Sequence, residues 1–187
     1  MEINFPNGKK LRLIIGDITR IRVDAMVNAA NSALAGGGGV DGAIHRVGGP
    51  TIMHELNVIR QQSGGCPTGN AVATSAGALP ALHVFHAVGP IYHDGKSNEP
   101  QQLEASYRSS LDLAEQRGVR MISFPSISTG AYGYPMDEAA RIALSTVASH
   151  LQNPDTHVRE VLLVLFDQGS YNVHAQAAHD LFSAQVK

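Results

Sequence analysis

One cysteine, Cys66, is all that this 187-residue chain contains. That excludes an internal disulfide and leaves no C-x-x-C pair for metal or redox chemistry. Charge is sparse and balanced: 14 Lys and Arg against 16 Asp and Glu give a formal net charge of -2. The basic footprint that gathers nucleic-acid phosphates is missing, so no nucleic-acid partner is expected. Long apolar runs are also lacking. The longest, VLLVLF, falls far short of the roughly 20 residues of a membrane helix, and MEINFPNGKK lacks the charged-then-apolar order of a secretory signal. The expectation is a cytoplasmic protein without a membrane partner.

Hydrophobic residues make up 43% of the chain and charged ones 16%, enough apolar surface to offset the entropy of ordering. The length suits one domain over residues 1–187. KLRLIIG, VDAMVNA, NAVATSA, HVFHAVG, RMISFPSI and VREVLLVLF read as strands, several of them apolar on both faces. Helical periodicity runs from Asp41, broken at Gly48-Gly49-Pro50, then from Leu103 to Arg117, from Asp137 to Leu151, and near the carboxyl end. HDGKSNEPQQ, from His93 to Gln102, reads as a surface loop before a helix. Apolar strands separated by helices predict an α/β fold: a largely parallel sheet covered on both sides, binding ligands at the strand carboxyl ends.

Glycine is concentrated where such a fold places its ligands. NAANSALAGGGGVDGAIHR follows the strand VDAMVNA and leads into a helix with Asp41 as its expected N-cap, so its backbone N–H groups can face an anion. Gly37, Gly39 and Gly42 form a literal G-x-G-x-x-G. The strand does not run directly into the first glycine, however, and no acidic residue follows about 20 positions on, as a dinucleotide fingerprint requires. A Walker A loop is excluded because no Lys-Ser or Lys-Thr pair follows. SISTGAYGYPMDEAA repeats the construction after RMISFPSI, and two such turns suit the two phosphates of a pyrophosphate. Either loop alone also reads as a tight turn, and Asp41 alone as a helix cap.

Other residues carry two readings each. Asp17, at the tip of IIGDIT, is placed to accept from a purine amine or to cap a turn. Phe166, at the tip of the last strand, offers a ring to an adenine or to the core. His83 and His86 are three apart in a strand and face opposite ways, so they cannot share an ion. His54, His93 and His157 have no ligand-spaced partners. His45 lies one turn after Asp41 and near the glycines. Cys66 lacks a positioned base and reads as a small packed thiol, and Ser126 and Ser128 lack a G-x-S-x-G elbow. No metal and no cofactor are assigned.

GDIT, VNAAN, GGGGVDGAIH, GGP, CPTG, HAVGP and SISTGAYGYP, in that order from Gly16 to Pro135, closely resemble the macrodomain family. Within it they are most similar to the bacterial O-acetyl-ADP-ribose deacetylase branch, which includes MacroD-type mono-ADP-ribosyl hydrolases. The resemblance implies a three-layer α/β/α fold around a mixed sheet with ADP-ribose across the strand carboxyl ends. It implies Asp17 and Ile18 at the adenine, and Phe166 beside it. Gly37, Gly38, Gly39 and Val40 with Ser128, Thr129, Gly130, Ala131 and Tyr132 would wrap the pyrophosphate and distal ribose. It implies Asn31 and Asp41 as the catalytic pair. Asn31 would orient ribose hydroxyls and Asp41 would act as base or hold a water that a substrate phosphate activates. ADP-ribose derivatives are the implied substrates, and mono-ADP-ribosylated proteins the implied partners. A non-catalytic ADP-ribose reader is the alternative.

Overall fold

The computed structural model describes residues 1–186. Seven strands form one sheet: β1 (Glu2–Asn4), β2 (Lys10–Ile15), β3 (Ala25–Ala29), β4 (Ala71–Ser75), β5 (His83–Ala87), β6 (Met121–Phe124) and β7 (Glu160–Leu165). Their order is β1-β2-β7-β6-β3-β5-β4. The five inner strands are parallel, and β1 and β4 close the two edges antiparallel. The expected mixed, largely parallel sheet is therefore present. β1 lies outside the strands read from sequence, because three residues carry too little alternation to register.

Strand β7 shows why the inner strands read as continuous apolar runs. Val161, Leu163 and Leu165 enter one core cluster while Leu162 and Val164 enter the other, on the opposite face. Side chains alternate across a strand, so both faces must be covered. One cover is α3 (Glu99–Gln116), α4 (Met136–Gln152) and α5 (Gln168–Phe182), through residues such as Tyr107, Leu144 and Ala178. The other is α1 (Gly39–Gly48) and α2 (Pro50–Ser63), through Ile44, Ile52 and Leu56. This is the three-layer α/β/α architecture. Gly49 and Pro50 end α1 and open α2, as the break in periodicity predicted.

Two boundaries differ from expectation. α1 starts at Gly39 with Gly38 as its N-cap, so Asp41 is the third helical residue and not the cap. α3 starts at Glu99, inside the stretch read as loop. Pro100 explains the second difference, since the first helical turn tolerates proline and its missing N–H.

The sheet order fixes where a ligand can enter. β3 and β6 are neighbours, yet the chain leaves β3 into α1 and α2 on one face and leaves β6 into α4 on the other. Connections that diverge from adjacent parallel strands open a crevice at their carboxyl ends. Both glycine-rich segments lie there.

Candidate active site

The tips of β2 and β7 are joined by Gly16 N–H donating to the Leu165 carbonyl at 2.9 Å. That bond sets Asp17 and Phe166 side by side. Asp17 Oδ1 accepts from Thr19 N at 2.9 Å and Thr19 Oγ1 at 2.7 Å, capping a short 3-10 helix, Ile18–Arg20. Those hydrogen bonds, from the Thr19 hydroxyl first, hold its carboxyl below the usual aspartate range. The capping role is thus real, and it occupies one carboxylate oxygen. Ile18 is buried in the core cluster shared with Ile44. Phe166 is 83% exposed, so its ring does not serve the core.

Beyond β3 the chain forms the first glycine-rich wall. Asn31 Nδ2 donates to Gly36 O at 2.9 Å and Asn31 Oδ1 accepts from Ala35 N at 3.1 Å. The side chain thereby closes the loop onto itself, and Gly36 turns with φ +79°. Gly37, Gly38 and Gly39 are exposed and enter α1 without a side-chain cap. The first N–H groups of a helix have no internal acceptor and carry the positive end of its dipole, which favours an anion. Bare backbone is needed within the loop as well. A Cβ at Gly42 would stand 2.7 Å from Gly37 O.

Asp41 is buried, 6% exposed, beneath these glycines. Its Oδ1 accepts from Asn28 Nδ2 at 2.8 Å. His45 Nε2 lies 3.2 Å from the same oxygen but is not aligned as a hydrogen bond. The other oxygen, Oδ2, faces the Gly37 Cα: a Cβ there would be 3.5 Å from Asp41 Oδ2 and 3.8 Å from Asn31 Nδ2. Asn31 and Asp41, ten positions apart in sequence, thus both approach Gly37.

The second wall follows β6. Ser128 is buried with φ +66°, and Tyr134 N–H donates to its carbonyl at 2.9 Å, closing the turn over Thr129, Gly130, Ala131 and Tyr132. Thr129 Oγ1 donates to Ser126 O at 2.9 Å. This turn does not open its helix directly, as the first one does. Pro135 is the N-cap of α4, and Asp137 and Glu138 fill the first turn with negative charge. Donors for an anion must therefore come from the turn itself.

A third segment braces the second wall. Tyr92 N–H donates to Tyr132 O at 2.9 Å, and the Tyr92 and Tyr134 rings pack edge to face at 4.9 Å. Tyr92 opens a loop that is strapped to Glu99, whose Oε1 accepts from the N–H groups of His93, Asp94 and Gly95 and whose Oε2 accepts from Ser97 N–H. Burial works to raise this carboxyl, but the backbone donors outweigh it and hold the pKa at about 2. Glu115, bonded by Thr156, His157 and His150 against the same penalty, is also held at about 2. Both values lie below the ordinary glutamate value of 4.5. Their stabilisation is complete above that value and is lost as pH falls toward 2. The Tm gap between wild type and Glu99→Gln is expected to narrow on acidification from pH 4.5 to 2, as thermal denaturation at stepped pH will show.

Behind the site lie three polar residues whose support of it went unread in the sequence: Asn28, His86 and Thr74. All are buried. An asparagine inside the apolar strand AMVNA was the one available signal, since a buried amide needs partners. Among the described residues, Asn28 Oδ1, His45 Nε2 and Ser128 Oγ are buried polar atoms of the site with no hydrogen-bond partner. Cys66 is buried, and burial pushes its thiol up to about 11, which leaves it unreactive.

The Macro domain family model matches residues 27–143, the span that carries Asn28, both glycine-rich walls and Asp41. A macro domain-containing protein of Caldanaerobacter subterraneus is 54% identical over 173 residues, covering 92% of this chain and 98% of its own. A Pantoea vagans protein named O-acetyl-ADP-ribose deacetylase 1 is 48% identical over 166 residues, covering 89% and 96%. The structure of the Oceanobacillus iheyensis macrodomain with ADP superposes with a TM-score of 0.92 at 39% identity, covering 98% and 96%. With the order of the sheet, the crevice at its switch point and the matched span all in agreement, this chain belongs to the Macro domain family.

Proposed function

We propose that this protein binds ADP-ribose derivatives and hydrolyses ester-linked groups from their distal ribose. The substrates are O-acetyl-ADP-ribose and mono-ADP-ribosyl esters of protein Asp and Glu side chains. The observation that carries this reading is the buried Asp41 carboxylate, one oxygen anchored by Asn28 and the other close to Gly37, which Asn31 also approaches. Support comes from the relatives named O-acetyl-ADP-ribose deacetylase, including one in Klebsiella pneumoniae at 52% identity over 158 residues. We place the activity in the cytoplasm, where the buried thiol of Cys66 stays reduced.

In this reading adenine lies on Phe166, its amine donating to the free oxygen of Asp17, with the Ile18 backbone alongside. The pyrophosphate takes N–H donors from Gly37, Gly38, Gly39 and Val40 at the α1 terminus and from the turn of Ser128 to Tyr132. The distal ribose sits between Asn31 and Asp41. Water held at Asp41 Oδ2 adds to the acyl carbon as the carboxylate takes its proton. The ester C–O bond then breaks, and the ribose oxygen recovers that proton. Products are ADP-ribose and the free acid. An ester needs only positioning and one proton acceptor to react at useful rates.

The test is a substrate panel. Purified protein releases acetate from O-acetyl-ADP-ribose and ADP-ribose from carboxylate-modified protein, and Asn31→Ala slows both. Tight calorimetric binding of ADP-ribose without turnover on either substrate would make the chain a reader instead. Phe166→Ala should weaken ADP-ribose and AMP binding about three- to tenfold, the worth of one aromatic stack, and leave ribose 5-phosphate binding unchanged.

A further inference from the structure

Register places three polar residues on one face of the sheet. Asn28 of β3 lies directly opposite His86 of β5, and Thr74 of β4 lies two residues along from Val72, the partner of His86. All three turn toward the α1 side, as their strand neighbours Met26 and Val84 do. Thr74 and His86 are buried, lie behind Asn28 and play no part in the proposed reaction.

The hydrogen bonds among them run in one direction only. Asn28 must turn Nδ2 toward Asp41, because an amide oxygen 2.8 Å from a carboxylate oxygen would be repelled. The same Nδ2 lies 3.1 Å from His86 Nδ1, so that ring nitrogen must accept. The ring proton then sits on Nε2 and is donated to Thr74 Oγ1 at 2.9 Å. Thr74 passes its own proton to Ser75 O at 2.9 Å, a backbone acceptor that cannot reverse. A second proton on His86 would set N–H against N–H₂. Burial, with the neighbouring His45 ring, holds the imidazole neutral, its pKa pushed down to about 3.

We propose that Thr74 and His86 are positioning residues for Asp41: they fix the Asn28 amide so that its N–H₂ anchors one carboxylate oxygen and leaves the other for water. The chain begins at the edge strand and ends at the catalytic carboxylate, so the edge of the sheet sets the direction of a base it never touches. This inference rests on the proposed ester hydrolysis.

The test uses Thr74→Val, a near match in shape that removes the acceptor for Nε2–H, and Thr74→Ser, which restores it. For Thr74→Val, kcat on O-acetyl-ADP-ribose should fall about tenfold, the cost of one misdirected buried hydrogen bond, with the Kd for ADP-ribose unchanged. Thr74→Ser should recover wild-type kcat. Nitrogen-15 NMR of wild-type protein should show His86 as the neutral Nε2–H tautomer up to at least pH 8 and down to pH 5. Wild-type kcat in a folded Thr74→Val protein, or an Nδ1–H tautomer in wild type, overturns the inference alone. Wild-type protein with no turnover overturns the hydrolase reading, and the inference with it.

Discussion

Replacing Asp41 with alanine is expected to lower kcat for O-acetyl-ADP-ribose by about 10²- to 10⁴-fold, the range a positioned general base contributes. ADP-ribose should still bind, because the donors assigned to the pyrophosphate are backbone N–H groups of the α1 terminus and the Ser128 turn. The substitution leaves Asn28 without its acceptor in a buried place, so some stability is lost, on the order of 1–3 kcal/mol. Asp41→Asn separates the two effects. It keeps the volume and can still pair with Asn28 through its amide oxygen, so it should recover much of the Tm while kcat stays low. Steady-state kinetics beside thermal denaturation and calorimetry would resolve this. If Asp41→Asn turns over at the wild-type rate, the carboxylate is not the base.

Gly89→Ala should damage the site from beneath. Gly89 follows β5, and a Cβ there would stand 2.1 Å from Ser128 Oγ and 2.5 Å from Ile127 Cγ2. Both neighbours are buried, and Ser128 is held at positive φ by the turn that Tyr134 closes. Overpacking of this kind costs about 1–3 kcal/mol, and for a chain of this size each kcal/mol lowers Tm by about 2–4 °C. The larger effect is on function. A shift of the turn from Ser128 to Tyr132 by about an ångström can cost about 10²-fold in rate, so kcat/KM should fall by up to that order. Unchanged kinetics in Gly89→Ala would mean that the added methyl does not disturb a wall of the ligand site.

What could be read from the sequence followed from periodicity and composition. β7 was legible because EVLLVL is apolar at every position after the first, which only a strand covered on both faces tolerates. The break between α1 and α2 was legible because Gly49 and Pro50 end one helix and open the next. The start of α1 was not, for a physical reason. Four consecutive glycines carry no capping side chain, so the first residue with one, Asp41, drew the cap three residues late. That displacement matters chemically: a cap would be spent on its own helix, whereas Asp41, as the third helical residue, pairs with Asn28 of β3.

The polar support of the site was illegible for a different reason. Asn28, His86 and Thr74 come from three strands and meet only through sheet register, which no local pattern encodes. Glu99 was hidden in a polar stretch that reads as a loose connection, yet its carboxylate gathers four backbone N–H groups and makes that connection a brace for Tyr132. Phe166 carried both of its readings until its exposure removed the packing alternative. Asp17 kept both, since the cap uses Oδ1 and leaves the other oxygen only a 3.7 Å approach from Arg20.

The most direct measurement is the initial rate of acetate release from O-acetyl-ADP-ribose by the wild-type protein across a range of substrate concentrations. Saturable release far above the buffer rate, with ADP-ribose as the second product, is the expected result. Release no faster than in buffer, from protein that binds ADP-ribose by calorimetry, would contradict a hydrolytic role for Asn31 and Asp41.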